Sequence, residues 1–286
     1  MKEYTKLIRD AVANAMGDDY EVQLTSVLKN NGQVQKCLII KKKGQNTASV
    51  AYLNGYYEDN VPVSEAVNDI VREYQPAPNV SANDIINYDN VKNKIFYQLV
   101  NKSSNTDYLL DKPHKDVLDD LVLVYRILID IDKQTGGVSS TVITNQLMNH
   151  LGVTLEELDT LSRENTPKLF PPTIQDLSKA LHIPSPIPMF ILSNTMSLSG
   201  AGAVLYPDVM GSISHTINML KSCNITMIPS SIHEWILVPE LDDEPIPMNE
   251  LTELINYVNA SSLDAEEVLS NHPYRYLHET GEIVSI

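Results

Sequence analysis

Two apolar runs, Ile225-Thr226-Met227-Ile228 and Trp235-Ile236-Leu237-Val238, flank a small polar knot, Pro229-Ser230-Ser231-Ile232-His233-Glu234. Each run has strand length and is rich in β-branched residues, so the stretch predicts strand, Pro-Ser-Ser turn, strand. The chain's single tryptophan sits beside the knot. We place this hairpin at the centre of the C-terminal half.

The N-terminal part reads as a unit of its own. Tyr4, Leu7, Ile8, Ala11, Val12 and Ala15 recur at helical spacing, and Gly17 supplies a C-cap. Alternation over residues 20–24, the turn Asn30-Asn31-Gly32 and a return over residues 34–42 predict a hairpin. Residues 48–53 add a third strand. A helix opened by Ser64 carries Val67, Ile70, Val71 and Tyr74 on one stripe. Gln75-Pro76-Ala77-Pro78 cannot continue that helix and closes an α-β-β-β-α unit at residues 1–76. Lys41-Lys42-Lys43 reads as a strand end kept soluble by charge.

Residues 77–286 form a larger α/β region. Residues 95–100 read as a strand, and the nearly unbroken apolar run at 118–131 fits a central strand, with a buried helix as the alternative by periodicity alone. Arg126 inside it either snorkels or meets a carboxylate. Thr135-Gly136-Gly137 turns the chain, residues 141–151 read as a helix, and Thr154-Leu155-Glu156-Glu157 carries the capping-box pattern of another, reaching about Arg163. Pro167, Pro171 and Pro172 mark a loop before a short helix at 174–181. Pro184, Pro186 and Pro188 lead into a strand at 189–192. Ser199-Gly200-Ala201-Gly202-Ala203 reads as a tight connection to a strand at 204–206. Pro207-Asp208 starts a helix with Val209, Met210, Ile213, Ile217 and Leu220 inward. Pro247 starts another, with Leu251, Leu254, Ile255 and Val258 on one face. A short helix at 264–269 and a hairpin over 274–277 and 282–286 close the chain. The fold class is α+β (mixed α/β).

Charge is placed unevenly. The net charge is −16; residues 1–120 hold 14 Lys/Arg and 17 Asp/Glu, a balance of −3, and residues 121–286 hold 7 and 20, a balance of −13. Such a field repels phosphate, which argues against direct nucleic-acid binding and for a protein partner. Cys37 and Cys223 stand far apart with no CxxC spacing, which points to a reducing compartment. No signal-peptide core and no apolar run of membrane length is present, so the expectation is a cytoplasmic protein with no membrane contact.

Candidate catalytic residues are confined to the knot: Ser231, His233 and Glu234. On an extended strand Ser231 and His233 share a face, and a serine within reach of an imidazole is the minimum for nucleophilic catalysis. No GxSxG surrounds either serine, and hydroxyls at a turn commonly satisfy backbone groups. Gly200-Ala201-Gly202-Ala203 lacks phosphate-loop spacing, and His272, His278, Glu279 and Glu282 match no metal motif. Asp130-Ile131-Asp132 and Glu240-Leu241-Asp242-Asp243-Glu244 lack the glycine and closing glutamate of a calcium loop. No cofactor or metal is expected.

Six strings occur in order: Lys29-Asn30-Asn31-Gly32, Leu121-Val122-Leu123-Val124-Tyr125-Arg126-Ile127-Leu128, Glu164-Asn165-Thr166-Pro167-Lys168-Leu169-Phe170-Pro171, Gly202-Ala203-Val204-Leu205-Tyr206-Pro207-Asp208, Pro229-Ser230-Ser231-Ile232-His233-Glu234 and Glu266-Glu267-Val268-Leu269-Ser270. Together they resemble a domain-of-unknown-function family of anaerobic Gram-positive bacteria and their mobile elements. That resemblance spans nearly the whole chain and implies no catalytic or binding residues. It suggests a chromosomal or mobile-element protein.

The reading favours interaction over catalysis: a non-enzymatic protein-binding factor acting through an acidic surface, in the mobile-element setting an anti-defence or host-modulating protein. The alternative is a hydrolase-type enzyme using Ser231 and His233. A third reading is a structural accessory that acts only as an oligomer.

Overall fold

A computed structural model describes residues 1–77, 81–132, 137–182, 188–207, 209–216, 223–240 and 247–286. By contacts the chain divides into two units, Met1–Ile85 and Ile86–Ile286. The sheets of both are antiparallel and the fold is α+β.

In the first unit α1 (Lys2–Met16) precedes the sheet β1-β2-β3, with β1 at Tyr20–Leu28, β2 at Val34–Lys42 and β3 at Ser49–Tyr52. Asn31 and Gly32 both take positive φ in the β1–β2 turn, as the Asn-Gly signal requires. A short helix the periodicity did not reveal, α2 (Asn54–Glu58), follows β3, and α3 (Val63–Glu73) completes the unit. Ile8 and Val12 from α1, Leu38 and Ile40 from β2, Leu53, and Ala66 and Ile70 from α3 make the core. Leu7 and Ala15, expected on the inner stripe, are exposed; Thr5 is buried there, its hydroxyl bonded back to Met1 O.

Two short helices follow, α4 (Ala82–Ile86) and α5 (Tyr88–Val91). In the second unit β4 (Ile95–Asn101) lies on one side of β6 (Leu121–Ile131), while β5 (His114–Leu118) and β7 (Val138–Val142) both pair with its other side. The central strand is the one the apolar run predicted. Arg126 within it bonds to Ser140 Oγ and Gln98 Oε1. Short α6 (Thr106–Leu109) sits between β4 and β5. Thr141 belongs to β7, and the expected helix begins only at α7 (Asn145–Leu151), where Thr144 Oγ1 accepts the Leu147 N–H.

The capping box at Thr154 and Glu157 is present and starts α8 (Leu155–Leu169). Pro167 lies inside this helix and not in a loop. Tertiary bonds override the local break: Asn165 Nδ2 donates to the carbonyls of Lys92 and Ile95, and Thr166 Oγ1 accepts the Tyr97 N–H. Beyond it the expected helix at 174–181 splits into β8 (Pro172–Asp176) and α9 (Leu177–Leu181), because Asp176 caps the turn that follows.

A six-stranded sheet runs β13-β12-β10-β11-β9-β8, with β9 at Phe190–Asn194, β10 at Ile225–Ser231, β11 at Glu234–Pro239, β12 at Tyr274–Tyr276 and β13 at Ile283–Ser285. The hairpin expected at its centre is there. The strand expected at 204–206 is not: Gly200–Leu205 is a buried 3-10 turn of small residues packed close to β9 and β11. Helices α10 (Val209–Thr216) and α11 (Met248–Ser261) complete the unit, and Ala265–Glu267 is 3-10. Pro78, Thr135, Gly136, Pro184, Pro186, Asp208, Ile217, Leu220 and the acidic string 241–244 lie outside the described residues.

Candidate functional site

Pairing of β10 with β11 runs from Ile225 opposite Pro239 to Ser231 opposite Glu234, with a register shift between Pro229 and Ser231. The connecting residues are therefore Ile232 and His233, and the Pro-Ser-Ser triplet expected to turn lies in the strand. An irregularity there suits a proline, which has no N–H for the ladder.

Each knot residue has a bonded place. Ser231 Oγ accepts the His233 N–H at 3.0 Å, and Ser230 Oγ donates to Glu234 Oε1 at 3.1 Å. The Ile232 N–H donates to Glu267 O, while Ile232 O accepts the Ala201 N–H. His233 Nδ1 accepts the Ser199 N–H at 3.1 Å, which leaves the ring proton on Nε2, 3.5 Å from Glu267 Oε1. Ser193 Oγ donates to His233 O at 2.8 Å. A Cβ at position 200 would stand 2.3 Å from Ser193 Oγ and 2.4 Å from His233 O, so only glycine lets the 3-10 turn close against the hairpin. Ser231, His233 and Glu234 thus share one turn, and their bonds run chiefly to backbone groups.

A second polar cluster had no motif to announce it. Asp120, in the turn between β5 and β6, accepts from Asn101 Nδ2 at 2.7 Å, from Ser270 Oγ at 2.9 Å and from the Tyr274 hydroxyl. His272 Nε2 lies 3.4 Å from Asp120 Oδ1. Burial, then the bond to Asp120, pushes the Tyr274 hydroxyl above the ordinary tyrosine range. Of the histidines considered for a metal, His272 sits beside Asp120, and His278 donates its backbone N–H to Asn224 Oδ1.

A third cluster centres on Asp159 of α8, buried and bonded to Lys115 Nζ at 2.6 Å and Arg163 Nε at 2.9 Å, with the Tyr125 hydroxyl at 3.3 Å. Burial alone would raise its pKa; the bonds and charges of Lys115 and Arg163 outweigh that and hold the carboxyl below the usual range.

The surface of α11 departs most from the sequence reading. Leu251 and Ile255 face the core, as expected, but Leu254 is 56% exposed and Val258 38% exposed, beside Tyr257 at 69%. At about 100° per residue Leu251, Leu254, Ile255 and Val258 fall on one stripe, yet only Leu251 and Ile255 are covered; Leu254 and Val258, with the neighbouring Tyr257, form its water-facing part. Glu250 and Glu253 of the same helix are also exposed.

The Family of unknown function (DUF5688) matches residues 1–278. The chain belongs to this family. No curated protein and no solved structure matches it. In this DUF5688 chain no helix among the described residues is long and apolar enough to cross a membrane.

Proposed function

We propose that this chain is a protein-binding factor that works through an acidic surface and performs no catalysis of its own. The observation that carries the reading is the exposed Leu254-Tyr257-Val258 stripe on α11, accompanied by Glu250 and Glu253. Apolar side chains grouped on a water-facing helix mark a contact surface, and acidic neighbours steer a basic partner onto it. The partner this describes is a protein with a basic rim and an apolar centre; nucleic acid is disfavoured by the net charge of −16. The alternative, a hydrolase using Ser231 and His233, draws no support from the bonds those residues make. The cytoplasmic, mobile-element setting, with an anti-defence or host-modulating role, belongs to the same proposal and rests on the sequence resemblance.

The test compares the wild-type chain with the double variant Leu254→Ser/Tyr257→Ser as baits in bacterial lysate at low and high salt. A protein held by the wild type at low salt, released by salt and absent from the variant is the expected result. Equal retention by both baits, or no salt-sensitive protein, contradicts the reading.

A further inference from the structure

The first unit holds a second surface, independent of α11. Among the described residues strand β3 is an edge strand, hydrogen-bonded to β2 alone in its sheet. Its pairing register continues to Leu53, whose N–H donates to Lys36 O at 2.8 Å. Backbone groups alternate in direction along a strand, so Ser49 and Ala51 also face β2 while Val50 and Tyr52 turn their N–H and C=O groups to the open side.

Along that open side runs a groove of about 390 Å³ between β3 and the end of α3. All four β3 residues line it, together with Ile40 and Ile70 at its floor, Tyr56, Tyr74 and Glu73. The volume falls near the lower end of the range for ligand-binding clefts. Among the described residues lining it Glu73 is the one that is charged, and its side chain is largely exposed. Its ion pair with Arg72 at 3.3 Å is a surface contact of little energetic weight. Burial, then Asp69 and Glu73, raises the Tyr56 hydroxyl, with Arg72 offsetting a part. At one end the Ser49 hydroxyl is tied to Gln75 O, and near the other Lys29 covers the Tyr52 ring at 4.3 Å.

Short edge strands are common because they resist unwanted pairing. The groove is what sets β3 apart: an edge with outward backbone groups, flanked by a helix and floored by apolar and tyrosine side chains, has the features of strand addition, in which backbone bonds give affinity and alternate side chains enter pockets. We propose that β3 and α3 bind an extended peptide segment of a partner protein as a fourth, added strand. An apolar side chain of that segment enters over Ile70 and Tyr74, and a lysine or arginine reaches Glu73.

The experiment selects a phage-displayed random heptapeptide library on the immobilised full chain, then measures the enriched peptides by fluorescence anisotropy. Enrichment of alternating β-branched or aromatic residues with a lysine or arginine is expected. Val50→Pro removes an outward N–H that β2 does not use, and it should weaken binding at least about 10-fold, the loss of roughly one good hydrogen bond. Val50→Ala should bind within about 3-fold of wild type, since the backbone group is kept. Glu73→Lys, an exposed change that leaves the core intact, should reverse the preference from basic to acidic peptides. Leu254→Ser/Tyr257→Ser should change nothing here, which separates this site from the α11 surface. No enriched peptide, enriched peptides indifferent to both Val50→Pro and Glu73→Lys, or a dimer abolished by Val50→Pro (a second copy as occupant) would overturn the proposal.

Discussion

Trp235 and Tyr274 meet edge to face, ring centroids 5.3 Å apart and planes at 86°, with both rings fully buried. Trp235 Nε1 donates to Ala201 O at 2.8 Å and Tyr274 donates to Asp120, so this pair connects the hairpin, the 3-10 turn and the β5–β6 turn. Trp235→Phe removes the indole bond and opens a cavity, and should cost about 2–4 kcal/mol. Denaturant unfolding followed by circular dichroism measures it. A loss under about 1 kcal/mol would mean the ring is not the anchor described.

Glycine is required at position 200 by contact. Gly200→Ala places a methyl against Ser193 Oγ and the His233 backbone and should destabilise by about 1–3 kcal/mol or more. Gly211, in α10, has open space around its Cβ direction, so Gly211→Ala should stabilise by about 0.5–1 kcal/mol through helix propensity. Melting temperatures that move in opposite directions are the expected outcome; a shared direction refutes the packing described at Gly200.

Asp159 gives a pH dependence of known sign. Its carboxyl titrates below the usual range, so its stabilising contribution is complete above that range and is lost as pH falls through the depressed value. Asp159→Asn should cost about 1–3 kcal/mol at neutral pH, the worth of hydrogen bonds to charged groups. Stability curves of the two proteins should converge in acid. A gap constant with pH would show that the charge has no part in it.

Four tyrosines, Tyr97, Tyr125, Tyr206 and Tyr274, have hydroxyls pushed up mainly by burial. On alkaline titration by ultraviolet absorbance these four should ionise only as the fold is lost. A single reversible transition for all of them would contradict their burial.

Elements with a strong local signal were legible in the sequence. Asn31-Gly32 specified its hairpin, Thr154 and Glu157 their capping box, and Leu121–Ile131 its central strand, because each signal is made within a few residues. Where distant residues decided the outcome, the reading failed. Asn165 and Thr166 bond to β4 and its approach and carry α8 past Pro167; Gly200 and Gly202 pack under the hairpin and against Tyr97, in a 3-10 turn that runs on through residues 204–205, where a strand was expected. The Asp120 cluster joins residues about 150 positions apart and has no local pattern to find. On α11 Leu251, Leu254, Ile255 and Val258 share one stripe, and local spacing does not say how much of its width the rest of the fold covers.

The most direct measurement places a photoreactive amino acid at position 257, on the open face of α11, or at position 233, in the hairpin turn, and irradiates living cells expressing each full-length variant. The expected result is one protein adduct from position 257, rich in basic residues at the linked site, and none from position 233. An adduct from position 233 without one from 257 would contradict the claim that the knot is architecture and the acidic exterior is where the molecule acts.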